Sequence, residues 1–107
     1  MDLWQASCDG DARAVDALLA NERLGLDLNC VEDKYGMTPL YIASQEGHAE
    51  VVSMLLAKQG IDVNQAEDHG ATPLLIASEE GHAEVVSMLL AKEGIDVNQT
   101  KIGRAHV

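Results

Sequence analysis

Four histidines, two cysteines and 18 acidic residues are the side chains with chemistry to offer in this chain. His48 with Glu50 and His82 with Glu84 recur at a fixed spacing, the kind of recurrence that invites a metal reading. Equivalent residues on neighbouring packed helices, however, lie about 8–10 Å apart. Ligands of one zinc ion sit about 2 Å from the metal and so only about 3–4 Å from each other. Each histidine is therefore assigned to the start of its own helix, where it orders the turn before it, and no metal site is expected. Cys8 could act as a nucleophile only with a base and an orienting group converging on it in a cleft. It falls near the end of a predicted helix, and Cys30 falls in a loop; both are expected to be packing or loop residues. The glycines recur singly as helix stops, not as a cluster between a strand and a helix that would cradle phosphate. The sequence thus predicts no catalytic residue, no cofactor and no enzyme.

The elements that carry these side chains come from an internal repeat. Thr38-Pro39-Leu40 returns as Thr72-Pro73-Leu74, and Gly47-His48-Ala49-Glu50 returns as Gly81-His82-Ala83-Glu84, a period of 34 residues. Between 38–65 and 72–99 only Tyr41/Leu75, Gln45/Glu79 and Gln59/Glu93 differ, so the two segments are a duplicated structural unit. A looser copy precedes them, with Ala6-Ser7 and Leu18-Leu19 matching Ala43-Ser44 and Leu55-Leu56 at an offset of 37; its extra residues fall between Leu19 and Gly36.

Each unit is predicted to be two short helices and an extended polar return. Thr38 and Thr72 are suited to cap a helix whose first residue is Pro39 or Pro73, where the missing N–H costs nothing. Gly47 and Gly81 end that helix. The second helix, Ala49 to Lys58 and Ala83 to Lys92, places Val51, Val52, Leu55 and Leu56, and their counterparts 34 residues on, in one apolar stripe. Gly60 and Gly94 are expected to stop it, and the return leads to a hairpin tip centred on Asp68-His69-Gly70. Helices of about ten residues are marginal alone, so they must be stabilised by stacking on their neighbours, as in a solenoid.

Composition narrows the setting. The chain has 107 residues, a formal charge of −11 and 47% hydrophobic residues, which is one foldable domain. Excess negative charge without a basic, aromatic-studded stripe disfavours nucleic acid. Two cysteines are too few to staple a secreted scaffold, which points to a reducing, cytoplasmic setting. No stretch is long and apolar enough for a membrane span or a secretory leader.

The string from Gly70-Ala71-Thr72-Pro73-Leu74 through Gly81-His82-Ala83-Glu84-Val85-Val86, with Leu89-Leu90 and Asp96-Val97-Asn98 after it, resembles the ankyrin repeat. The resemblance implies an all-α repeat solenoid: a stack of three helix pairs with hairpin or loop fingers projecting from one side. The expected divisions are 1–37 (a degenerate N-terminal repeat), 38–71 (a full repeat), 72–99 (a repeat with no cap after it) and 100–107 (a tail). The family usually follows Thr-Pro-Leu with a histidine that pins neighbouring repeats; here that place holds Tyr41, Leu75 and, in the first unit, Trp4.

The resemblance also implies function: a non-enzymatic protein-interaction module working through the finger tips and the concave helix face. The positions carried over are Lys34, Tyr35, Met37, Gln45 and Glu46 in the second unit, and Asp68, His69, Ala71, Glu79 and Glu80 in the third. Tyr35 and Met37 lead, because an aromatic ring and a thioether at a tip desolvate well against a partner. The charge of residues 1–99, −13 before histidines, favours a partner with a basic surface, with solubility as an equal explanation. The alternative is a structural module that self-associates by stacking through the last repeat, with Ile76, Val86 and Leu89 as the open face. Asn64 and Asn98 follow a leucine, an aspartate and a valine in a pattern resembling the one that asparaginyl hydroxylases recognise in ankyrin repeats, but bonding to their own loop backbones is the preferred explanation, since it needs no particular host.

Overall fold

The computed structural model describes residues 2–97. Six α-helices run in chain order: α1 Leu3–Asp9, α2 Ala12–Ala20, α3 Pro39–Glu46, α4 Ala49–Leu56, α5 Pro73–Glu79 and α6 Ala83–Leu90, with a 3-10 turn at Glu22–Leu24 after α2. Among the described residues no strand forms. The first helices stack as α1, α3 and α5 and the second helices as α2, α4 and α6, so three helix pairs lie side by side as expected.

The predicted start signals operate. Thr38 Oγ1 accepts the Tyr41 N–H at 3.0 Å and Thr72 Oγ1 accepts that of Leu75 at 3.2 Å, each ahead of a proline at the first helical position. In the first unit Asp2 and Asp11 cap α1 and α2 through the N–H groups of Gln5 and Ala14. The second helices are shorter than expected: they end at Leu56 and Leu90, not at Lys58 and Lys92. Ala57 N–H still reaches Ser53 O, but Lys58 N–H bonds to Leu55 O, a tightening to three-residue spacing that ends the α-helix before Gly60.

One apolar core runs through the stack, built from Leu3, Val15, Leu40, Val51, Val52, Leu55, Val85 and Leu89 with small alanines between them. The central helix α3 is buried from Pro39 to Ser44 because α1 and α5 cover its two sides. A second, smaller cluster of Tyr41, Ala71 and Ile76, with Met37 and Leu75 against it, fills the space beneath the fingers.

The register between units is held by polar links that repeat. His48 Nε2 donates to the Cys8 carbonyl at 3.0 Å, and His82 Nε2 donates to the Gln45 carbonyl at 2.9 Å. A carbonyl only accepts, so each ring carries its proton on Nε2. Each histidine is the N-cap residue of its helix but makes no side-chain cap bond there; it reaches back to the preceding unit. Its ring lies against the glycine that ends that unit's first helix. A Cβ on Gly10 would stand 2.5 Å from His48 Nδ1, and one on Gly47 would stand 2.7 Å from His82 Cε1. Glycine at these points serves twice, since φ is 72° and 75° and the ring fills the space a side chain would need.

On the other flank an asparagine clasps the next unit. Asn29 donates to Gly60 O and accepts from Asp62 N–H at 3.0 and 2.8 Å; Asn64 does the same with Gly94 O and Asp96 N–H, both at 2.8 Å. Asn64 therefore does not serve its own loop, contrary to that expectation; Asp62 does, accepting the Asn64 N–H. Asn98 lies outside the described residues. Two further links are single. Trp4 Nε1 donates to Met37 O at 3.0 Å, and Lys92 Nζ donates to Leu56 O at 2.8 Å.

Candidate functional site

Two fingers project beyond the first helices, and a glutamate carboxylate organises each. In the first, Glu32 accepts the N–H groups of Lys34, Tyr35 and Met37 at 2.9, 2.7 and 3.1 Å, while Glu32 N–H donates to Met37 O and closes the turn. In the second, Glu67, whose side chain is 6% exposed, accepts those of His69 and Ala71 at 2.8 and 2.9 Å, and its own N–H bonds to Ala71 O. Periodic comparison misses this pair because the first finger holds one residue more, so Glu32 and Glu67 stand 35 apart and not 34. The signal that would have found them is the return segment, Leu26-Asp27-Leu28-Asn29 against Ile61-Asp62-Val63-Asn64, which aligns at 35.

The fingers are joined to each other. Asp68 N–H donates to Tyr35 O at 2.9 Å, and Gly36 faces the Asp68 carboxylate closely enough to leave no room for a side chain. On this linked edge Tyr35 is 41% exposed, with the Lys34 ammonium 5.3 Å from its ring centroid. Asp68 and His69 are exposed beside it, and His69 Nδ1 donates to Glu67 at 3.3 Å. Below the fingers, Glu46, Glu79 and Glu80 are exposed at the ends of the first helices, with Gln45 half-buried because its backbone receives His82.

Four of the residues expected to meet a partner or a second copy lie elsewhere. Ala71 is 1% exposed and belongs to the cluster under the fingers, because the Glu67 turn folds its side chain inward. Met37 is half-buried against the same cluster, so its thioether fills space between fingers and helices. Of the expected stacking face, Ile76 and Leu89 are buried within the unit, and only Val86 is partly open. On α6 the misjudgement is at Leu89 alone, by one position: Val85 and Leu89 are buried, whereas Val86 is partly open and Leu90 is exposed.

Burial pushes the Cys8 thiol up, with Glu46 and Asp9 adding to it, and burial with Asp27 and Asp2 does the same to Cys30; both stay protonated and weakly nucleophilic. Burial followed by the charges of Glu67, Glu79 and Glu80 raises the Tyr41 phenol to about 12. Burial also presses upward on Glu32 and Glu67, but the backbone N–H donors outweigh it and both end below the usual carboxylate value. Among the described residues no group of three or more His, Cys, Asp and Glu could hold a metal ion, and no helix is long and apolar enough to cross a membrane.

A search of curated proteins returned no match. The family model for ankyrin repeats, in three copies, matches residues 3–101. Three stacked helix pairs, the Thr-Pro-Leu starts, the histidine links and the projecting fingers agree with that match over nearly the whole chain. Ankyrin repeats are generally protein–protein interaction modules, not enzymes. The chain belongs to the ankyrin repeat family.

Proposed function

We propose that the chain binds a protein partner with a basic surface through its linked finger edge and the exposed ends of its first helices. The observation that carries this reading is the pair of carboxylate-organised fingers, which hold Lys34, Tyr35, Asp68 and His69 in one exposed row at little further ordering cost. Loops fixed on a rigid scaffold are where recognition residues concentrate. Asp9, Glu46 and Glu80 stand in register at the ends of successive first helices, so carboxylates repeat along the stack at about the 8–10 Å of helix packing. Such a row favours basic side chains at matching spacing and steers their approach, an effect that weakens with salt. Two cysteines held as free thiols support a reducing, cytoplasmic setting.

Selection of peptide binders from a randomised display library against the full chain tests the reading. Selected peptides are expected to be rich in Lys and Arg and to lose at least about tenfold in affinity on Tyr35→Ala, a cost of the size of one interface anchor. Binders indifferent to Tyr35→Ala, Asp68→Lys and salt would count against it. A second reading, a structural role in which copies stack end to end, draws support from the exposure of Leu90. The first unit opposes it, because Asp11 stands where docking on the last unit needs a histidine.

A further inference from the structure

Helices α4 and α6 share one sequence, AEVVSMLL, and so act as an internal control. Val52 is fully buried and Leu56 is 8% exposed, whereas Val86 is only partly buried and Leu90 is 50% exposed. The contrast continues along the same side: Leu40 and Ser44 are buried while Leu74 is half-buried and Ser78 exposed, and Val63 is 6% exposed against 57% for Val97. With sequence held constant, the difference is cover. The third unit lies on the second unit's face; among the described residues nothing lies on the equivalent face of the third.

That face retains its docking parts. Gly81 has the left-handed backbone of Gly10 and Gly47, with φ of 77°, but a Cβ there meets nothing within 4 Å, where Gly10 and Gly47 each receive a histidine ring. A groove of about 450 Å³ opens at this point, lined by Ser78, Gly81, Ala83, Val86, Ser87 and Leu90. In the sequence Asn98 closes Gly94-Ile95-Asp96-Val97-Asn98, the counterpart of the segments whose Asn29 and Asn64 clasp the following unit. The other end of the stack lacks the matching part. At the place of His48 and His82 the first unit has Asp11, whose carboxylate accepts the Ala14 N–H at 3.1 Å and caps its own helix.

We propose that the α5/α6 outer face is a socket for one further repeat, joined as a continuation of the stack and carrying a histidine at the N-cap of its second helix. Its histidine ring seats on Gly81, and its helices cover Leu74, Val86 and Leu90 as the third unit covers Leu40, Val52 and Leu56. The argument is continuity with the two interfaces already in the molecule. The finger edge plays no part in it, so the proposal and the binding reading above fail separately.

The test compares the full chain with a lengthened one in which residues 66–99 are repeated once after Gln99. Amide exchange over 83–90, followed by mass spectrometry, is expected to slow by about tenfold or more in the lengthened chain, as a covered helix opens less often. Replacing the added copy of His82 by alanine should return a large part of that protection. Unchanged exchange, or protection indifferent to the added histidine, would overturn the proposal. Sedimentation of the original chain is expected to show a monomer at every concentration. A reversible dimer abolished by Leu90→Glu would instead make a second copy the occupant and overturn it, as would protection of 83–90 that vanishes when residues 100–107 are removed.

Discussion

Gly47→Ala and Gly81→Ala form a matched pair that isolates the histidine link between units. The two glycines have φ of 75° and 77°, so the left-handed backbone charges alanine about 1–2 kcal/mol at either site. Their surroundings differ. The new methyl at position 47 would stand 2.7 Å from Cε1 and Nδ1 of His82, well inside the contact distance of about 3.5–4.0 Å. The ring must retreat by about 1 Å, which strains or breaks its 2.9 Å bond to the Gln45 carbonyl; overpacking of this kind costs about 1–3 kcal/mol more. At position 81 nothing lies within 4 Å and no second term arises. Urea unfolding followed by circular dichroism, with the single Trp4 as a second probe, should therefore show Gly47→Ala less stable than Gly81→Ala by about 1–3 kcal/mol. In a His82→Ala background the gap should close. Equal destabilisation by the two substitutions would refute the seating of the ring on the glycine.

Other outcomes follow from the same structure. Leu56→Ala should cost about 2–5 kcal/mol in thermal unfolding and Leu90→Ala clearly less, because only the first is covered. Ser7 Oγ is buried without a partner, whereas Ser44 Oγ donates to Leu40 O at 2.7 Å; Ser7→Ala should be neutral or stabilising and Ser44→Ala should cost about 1 kcal/mol by the same measurement. Glu67 in the folded finger lies below a glutamate's ordinary 4.5, so its contribution is complete above that value and is lost as pH falls through the lower folded one. The His69 and Ala71 amide resonances should follow that titration, and Glu67→Gln should flatten it. Tyr41 works in the opposite direction: its phenol is raised to about 12 from 10, so stability should decline as pH rises through that interval, and Tyr41→Phe should remove this component from alkaline unfolding curves.

The architecture was legible because the 34-residue period exposes the caps, stops and stripes of a unit twice over. Thr38, Pro39 and Gly47 act locally and did what their types imply. The misjudged parts depend on which side of a helix a neighbour occupies. Leu89 and Leu90 are adjacent, identical and equally apolar, and only the packing of α6 on α4 and α5 decides that the first is buried while the second stays exposed. Glu32 and Glu67 stayed hidden for a related reason: charged residues in polar loops carry no periodic signal, and the single extra residue in the first finger moved them out of register. The histidines were placed correctly at helix starts, but their bonds run to carbonyls of the preceding unit, a long-range partner that local pattern does not specify.

The assignment of recognition to the fingers is best decided by amide-shift mapping of the full chain titrated with a display-selected peptide. The account predicts shifts concentrated at Lys34, Tyr35, Asp68 and His69, spreading to Glu46 and Glu80, weaker at high salt and abolished by Tyr35→Ala. Shifts confined to Leu74, Val86 and Leu90, with the fingers silent, would contradict it.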